Sequence, residues 1–154
     1  MFFCSNICIA QVYHKGRNIT TENGLSDNRI TCFYKDKTGF IWIGTKNGLN
    51  RYDGHSFKIF RPTKSNSISN ETINDIAGDK KGRIWVATMD GLNCYNPQTN
   101  HWEVLRPGTK KDVNEIPNNL TWKLWFDETG LLWIASDVFA FSSYDVDKKK
   151  FTYY

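Results

Sequence analysis

Along this chain the apolar positions come in short runs rich in Ile, Val, Leu and aromatic residues, each closed by Gly, Asn, Asp or Pro. Runs of this kind predict strands, because β-branched and aromatic side chains suit a pleated, half-buried surface and the closing residues supply turns. The runs also recur. A Gly-x-x-Trp core begins at Gly39, Gly82 and Gly130, spaced 43 and 48 residues apart, and a period of about 40 to 50 residues is that of β-propeller blades with four strands each. The inner strand is expected over Ile30–Lys35, Ile73–Gly78 and Thr121–Phe126, and the second over Ile41–Thr45, Ile84–Thr88 and 132–136. The third is expected over 49–52, 92–95 and 141–144, and the outer over Phe57–Phe60, 102–105 and 151–154. The inner strand does not alternate cleanly: Ile73 and Ile76 lie three apart, so its two faces stay unassigned.

The turns carry their own signals. Asp36, Asp79 and Asp127 each precede the glycine by three, a spacing in which the carboxylate bonds the turn backbone and Gly39, Gly82 or Gly130 takes positive φ. Asn47-Gly48 and Asp90-Gly91 are strong hairpin signals between second and third strands. Trp42, Trp85 and Trp133 recur at one place in every copy, which predicts packing between neighbouring blades rather than stacking on a sugar or a base. Gly44, Ala87 and Ala135 keep the second strand small, and Thr45, Thr88 and Ser136 offer a hydroxyl to the adjacent backbone.

The expected fold is therefore all-β, a partial β-propeller of three four-stranded blades over 25–62, 63–107 and 108–154, preceded by a lead-in segment with an N-terminal strand over 11–24. Three blades cannot close a ring that usually takes about 4 to 8. The third copy departs from the pattern, with Asp137-Val138-Phe139-Ala140 replacing the regular hairpin, and its loop is a candidate for ligand contact.

Composition narrows the functional classes. Lys and Arg exceed Asp and Glu by four but are scattered, so no nucleic-acid stripe forms. No apolar run approaches the roughly 20 residues that span a membrane. Met1 to Ala10 is apolar and ends in Cys8-Ile9-Ala10, which reads as the tail of a secretory signal or, alternatively, as a propeller strand. Cleavage there removes Cys4 and Cys8 and leaves Cys32 and Cys94, neither repeated in the other copies, so a disulfide is open but not required. His14, His55 and His101 lie far apart, and no metal or other cofactor is expected. There is no Gly-x-Ser-x-Gly elbow and no phosphate-binding glycine loop.

Asp36-x-x-Gly39-x-x-Trp42-Ile43-Gly44-Thr45-x-x-Gly48-Leu49-x-x-Tyr52-Asp53 resembles the two-component regulator propeller repeat, and 21–26 resembles the start of its first blade. The resemblance implies part of a seven-bladed ring in the periplasmic sensor region of a hybrid histidine kinase. It further implies an oligosaccharide ligand, the remaining blades as partners, a homodimer in the full sensor, and a kinase that lies outside these residues. Two other classes stay open: a lectin-like protein that closes a ring by joining copies, and a propeller lyase. In propellers the loops leading into the inner strand and those joining the second and third strands gather around the channel. Those loops hold Asn28, Arg29, Lys46, Asn47, Glu71, Met89, Asp90, Asn119, Trp122 and Asp137. Arg29 offers a planar fork and Trp122 a face for a sugar, and neither type recurs at its position.

Overall fold

A computed structural model describes residues 16, 18–107, 116, 120–136 and 141–154; Met1 to Ala10 and the Asp137 to Ala140 loop lie outside the described residues. Among the described residues a 3-10 turn at Thr21–Asn23 is followed by twelve strands: β1 (Ile30–Lys35), β2 (Ile41–Thr45), β3 (Gly48–Tyr52), β4 (Phe57–Phe60), β5 (Ile73–Gly78), β6 (Ile84–Thr88), β7 (Gly91–Asn96), β8 (His101–Leu105), β9 (Thr121–Phe126), β10 (Leu131–Ser136), β11 (Phe141–Asp145) and β12 (Lys150–Tyr153). They form three antiparallel four-stranded sheets, each a meander in sequence order, β1 to β4, β5 to β8 and β9 to β12. The inner strands β1, β5 and β9 pack along one another, as the inner strands of successive propeller blades do. Among the described residues no helix is long and apolar enough to cross a membrane.

The broken alternation of the inner strand has a local cause. In β1 the register against β2 shifts between Ile30 and Cys32, in β5 between Ile73 and Asp75, and β9 meets the same shift opposite Ala135 and Ser136. An extra residue in one strand turns the rest of that strand by one pleat. Ile73 and Ile76, three apart, consequently enter the same core.

Both cores lie between sheets. Trp42, Leu49 and Phe60 from the first sheet meet Ile73, Ile76, Ile84, Val86 and Tyr95 from the second. Trp85, Ala87 and Leu92 from the second meet Leu124, Leu132, Ile134 and Tyr144 from the third. Alternation along β6 thus sends Ile84 and Val86 backwards and Trp85 and Ala87 forwards, as a period of two requires. Each contact pairs a Trp with the Tyr of the following blade: Trp42 with Tyr95 at 5.8 Å and Trp85 with Tyr144 at 5.7 Å between ring centroids. Full burial of such side chains stabilises by about 1.5 to 3 kcal/mol each. Where blades approach most closely one partner must be small. A Cβ built on Gly44 would stand 2.7 Å from Ile73 of the next blade.

The turn aspartates have two tasks. Asp36 Oδ1 accepts the backbone N–H groups of Thr38 (2.9 Å) and Phe40 (3.1 Å), while its Oδ2 accepts the indole N–H of Trp42 (2.8 Å). Asp79 and Asp127 bind Trp85 and Trp133 in the same way, at 3.2 and 2.9 Å. One carboxylate therefore fixes both the hairpin and the orientation of the inter-blade Trp. Gly39, Gly82 and Gly130 have φ of 96, 81 and 95°; a side chain at Gly39 or Gly82 would meet no atom within 4 Å, so backbone conformation rather than space requires glycine there. A lysine also links consecutive turns. Lys37 Nζ donates to the Lys80 carbonyl (3.1 Å) and Lys80 Nζ to the Glu128 carbonyl (2.6 Å).

These turns make the fold acid-sensitive within a defined window. Backbone N–H groups of Ser56 and His55 draw the Asp53 carboxyl down to about 2. Hydrogen bonds from Thr129 and Trp133 hold Asp127 well below the usual carboxylate range. Asp145 is lowered by the Lys148 backbone N–H and side chain. A group whose pKa is depressed on folding contributes stability that is present above the unfolded value of about 3.9 and is lost as pH falls through the folded value. Thermal melts followed by circular dichroism should give a constant midpoint from pH 7 to about 5 and a falling one below about 4. A midpoint that stayed flat down to pH 2 would contradict this.

Candidate functional site

One end of the sheets carries the loops that lead into β1 and β5 and the hairpins joining β2 to β3 and β6 to β7. In the first two blades a buried polar network ties the loop to its hairpin. Ser26 donates its backbone N–H to Asn50 Oδ1 (2.9 Å), Asn50 Nδ2 returns a bond to Ser26 Oγ (2.8 Å), and Ser26 Oγ meets Thr45 Oγ1 at 2.8 Å. Thr45 then donates to the Gly48 carbonyl (2.8 Å). The second blade repeats the arrangement with Ser69, Asn93 and Thr88 at 2.9, 2.9 and 3.1 Å. Thr45, Asn50, Thr88 and Asn93 are fully buried, where an amide left unpaired would cost free energy. The bonds from Thr45 and Thr88 to the adjacent backbone are as the sequence predicts, but sequence reasoning missed their Ser and Asn partners, although Leu25-Ser26 and Ile68-Ser69 recur at the same 43-residue interval as the Trp motif. The third copy has Pro117 and Ser142 in the Ser and Asn positions, and the buried Oγ atoms of Ser136 and Ser142 find no partner.

Neighbouring loops are joined as well. Lys46 donates its backbone N–H to the Arg29 carbonyl (3.3 Å), Gly48 to Glu71 (2.7 Å) and Met89 to Thr72 (3.4 Å). Asn74 Nδ2 reaches the Thr121 carbonyl in the third blade (2.8 Å). Of the sequence candidates, Asn28, Arg29, Lys46, Asn47, Glu71, Met89 and Asp90 lie in these loops and hairpins and Trp122 lies on β9, and several are already engaged. Arg29 donates Nε and Nη2 to Asp27 at 3.2 and 2.8 Å, which raises the guanidinium pKa and lowers that of the carboxyl, chiefly through the side-chain hydrogen bond. Asn28 accepts the Thr21 backbone N–H (2.9 Å) and holds the 3-10 turn. Asn47 donates to the Ser26 carbonyl (3.4 Å). Asp90 receives the fork of Arg106, with its closest contact at 2.8 Å. Lys46 and Glu71 are exposed, and Trp122 is 41% exposed. Asn119 and Asp137 lie outside the described residues. An exposed indole face suits stacking on a neutral, hydroxyl-rich ligand.

The opposite end offers less. A cavity of about 400 Å³ between blades two and three is lined by Lys80, Lys81, Arg83, Asp145, Asp147 and Lys148 among others. Its cations are largely spent on neighbours: Lys81 on Asp147 (2.6 Å), Arg83 on Asp79 and Lys148 on Asp145 (3.0 Å). Cys32 and Cys94 are both free thiols, and burial pushes their pKa up to about 11 and about 12, far from nucleophilic thiolates at neutral pH. Among the described residues no group of three or more His, Cys, Asp and Glu could hold a metal ion.

Sheet order, inter-blade Trp–Tyr contacts and a loop-built rim define a run of β-propeller blades. The chain belongs to the SMP-30/Gluconolactonase/LRE-like region family, whose model matches residues 9–153. Among solved structures it is similar to the extracellular domain of the hybrid two-component system BT3049 from B. thetaiotaomicron, with TM-score 0.83 and 29% identity over 90% of this chain and 20% of that one. The corresponding domain of BT4673 from the same organism gives TM-score 0.68 and 25% identity over 88% of this chain and 19% of that one. A 45-residue stretch is 44% identical to histidine kinase P4 of Formosa agariphila, covering 29% of this chain and 3% of that protein. The chain therefore spans about a fifth of the sensor domains it matches.

Proposed function

We propose that these blades form part of the ligand-sensing propeller of a hybrid two-component sensor histidine kinase, that the propeller stands in the periplasm, and that its ligand derives from a carbohydrate. The observation that carries this reading is the match to the BT3049 extracellular domain over 90% of the chain. The role of the segment is binding rather than catalysis. Kinase activity belongs to other parts of the sensor, the remaining blades complete the ring, and two full sensors pair to signal. The three blades span 25–62, 63–107 and 108–154, after a signal tail at 1–10 and a lead-in at 11–24.

Within that reading Trp122 is the stacking residue, with Lys46 and Glu71 bonding hydroxyls; Asn28, Arg29, Asn47 and Asp90 shape the loops through the bonds they already make, and Asn119 and Asp137, outside the described residues, are further candidates for ligand contact. The test is titration calorimetry of the intact sensor domain against a panel of oligosaccharides released from complex glycans. Trp122→Ala is expected to weaken binding of the responding oligosaccharide about tenfold, the loss that 1.4 kcal/mol of stacking represents. Unchanged affinity would remove Trp122 from the site, and heat release from none of the glycans would remove the carbohydrate ligand.

A further inference from the structure

Among the described residues no strand packs over the forward face of the third blade. Trp125 is 62% exposed, Phe141 50% and Tyr154 60%. Trp133 lies in the same aromatic surface, stacked on Phe141 at 6.1 Å and on Tyr154 at 5.3 Å. Between them runs an apolar groove of about 320 Å³ lined by Trp125, Trp133, Ala135 and Phe141. Trp133 occupies on β10 the position that Trp42 and Trp85 occupy on β2 and β6, and Tyr154 follows the outer strand where Phe60 ends β4. Those positions make the two inter-blade cores already formed. The open groove thus continues an established interface and has its chemistry.

The residue types that cover it can be specified further, because the existing contacts obey a size rule at the end of the inner strand. Tyr34, next to last in β1, leans over Gly78, last in β5. A Cβ at Gly78 would collide with the Tyr34 ring and hydroxyl. In the second contact the sizes are reversed. Ala77 is next to last in β5, and Phe126, last in β9, packs against the shared core. In each contact one blade supplies a large side chain at the end of its inner strand and the other a small one. Trp125 is next to last in β9, so its partner must end its inner strand with a small residue. We infer that the forward face of the third blade docks a further four-stranded propeller blade with Gly or Ala closing its inner strand and Tyr on its third strand. The Tyr is required by analogy with Tyr95 and Tyr144, which meet Trp42 and Trp85 in the two interfaces present.

By this size rule a second copy of this chain is the poorer occupant. Its first blade presents Tyr52 but ends β1 with Lys35, a long charged side chain that would have to lie against the Trp125 indole. The inference rests on the sensor reading only for the source of the covering blade. A sensor without any carbohydrate response leaves the docking rule standing, and a failed docking rule leaves the glycan titration standing.

The test extends the full chain after Tyr154 with a second copy of residues 63–107, the blade that carries Gly78 and Tyr95, and reads hydroxyl-radical labelling of individual tryptophans by mass spectrometry. Labelling of Trp125 should fall severalfold relative to the unextended chain, with Trp122 unchanged. Gly78→Phe in the added copy should restore the labelling, and Trp125→Ala beside that Phe should recover the thermal midpoint. Equal labelling of Trp125 with and without the added blade would overturn the inference, as would equal protection by the Gly and Phe versions. If Trp125 of the unextended chain becomes protected as concentration rises and the sedimenting mass doubles, a second copy is the occupant and the inference fails. The rule is checked independently inside the unaltered chain. Gly78→Phe should lower its thermal midpoint and Tyr34→Ala should restore it, whereas no recovery would overturn the size rule whatever the extended chain does.

Discussion

Replacing Trp85 by alanine is expected to lower the unfolding free energy by about 3 to 5 kcal/mol, the range for deleting a fully buried large aromatic side chain. Trp85 is 2% exposed, lies edge-on to Tyr144 at 5.7 Å and to Phe126 at 6.4 Å, and carries the Arg83 guanidinium 5.5 Å from its ring centroid. Its removal opens a cavity between two blades that share no covalent link at that point, so the surrounding sheets can close it only by tilting. Trp133→Ala should cost much less in this chain, because that ring is only half-buried. Urea titrations of the two variants check the difference. Equal losses would mean that the inter-blade position confers nothing on Trp85 beyond its size.

The second large effect belongs to Asp79. Its carboxylate accepts the backbone N–H groups of Lys81 and Arg83 (both 2.9 Å), the Arg83 Nε–H (2.5 Å) and the Trp85 indole N–H (3.2 Å). The Asp79 side chain is 3% exposed and that of Arg83 20%. Truncating one member of a buried ion pair strands the other, and Asp79→Ala is expected to destabilise by about 3 to 5 kcal/mol. Arg83 already has its buried Nη2 without a partner. Asp127→Ala in the third blade should be milder, because Leu131 stands where the second blade has Arg83 and the Asp127 turn has no described blade packed over it. Denaturant midpoints of the two variants decide the point, and a milder effect of Asp79→Ala would reverse the ranking.

Most of the architecture was legible in the chain because three copies of one pattern constrain each other. The inner strands and β2, β4 and β6 match their expected ends, and the others shift by one residue, as where the third strand begins at Gly48 and Gly91 instead of one residue later. The bulge was not legible. A one-residue insertion has no residue signature of its own, and it shows only as the odd spacing of Ile73 and Ile76. Nor was the second bond of each turn aspartate, although Asp and Trp stand six residues apart in all three copies. Packing also hides substitutions of equivalent groups. Arg51 on the third strand lies over Phe40 at 4.4 Å and Trp42 at 5.9 Å, while in the next blade the cation comes from Arg83 on the second-strand side and Cys94 takes the place of Arg51.

The candidate site was less legible for a physical reason. Rim loops differ from copy to copy, so repetition supplies no constraint, and a charged residue's availability depends on neighbours the spacing does not reveal. Arg29 is held by Asp27 two residues away, and Asp90 by Arg106 sixteen residues away. Trp122, by contrast, keeps part of its indole exposed on β9. The structural tryptophans could be separated from it in the sequence because they repeat and it does not.

Whether these blades belong to a membrane-anchored sensor is decided by an immunoblot of the native organism fractionated into membrane and soluble parts, using an antibody against the peptide 63–70. Its first four residues, Thr63 to Asn66, are exposed. A sensor gives a membrane-bound band several times heavier than 17.9 kDa, and this is the expected result. A soluble band at the mass of this chain alone would contradict it and favour a self-assembling binding protein.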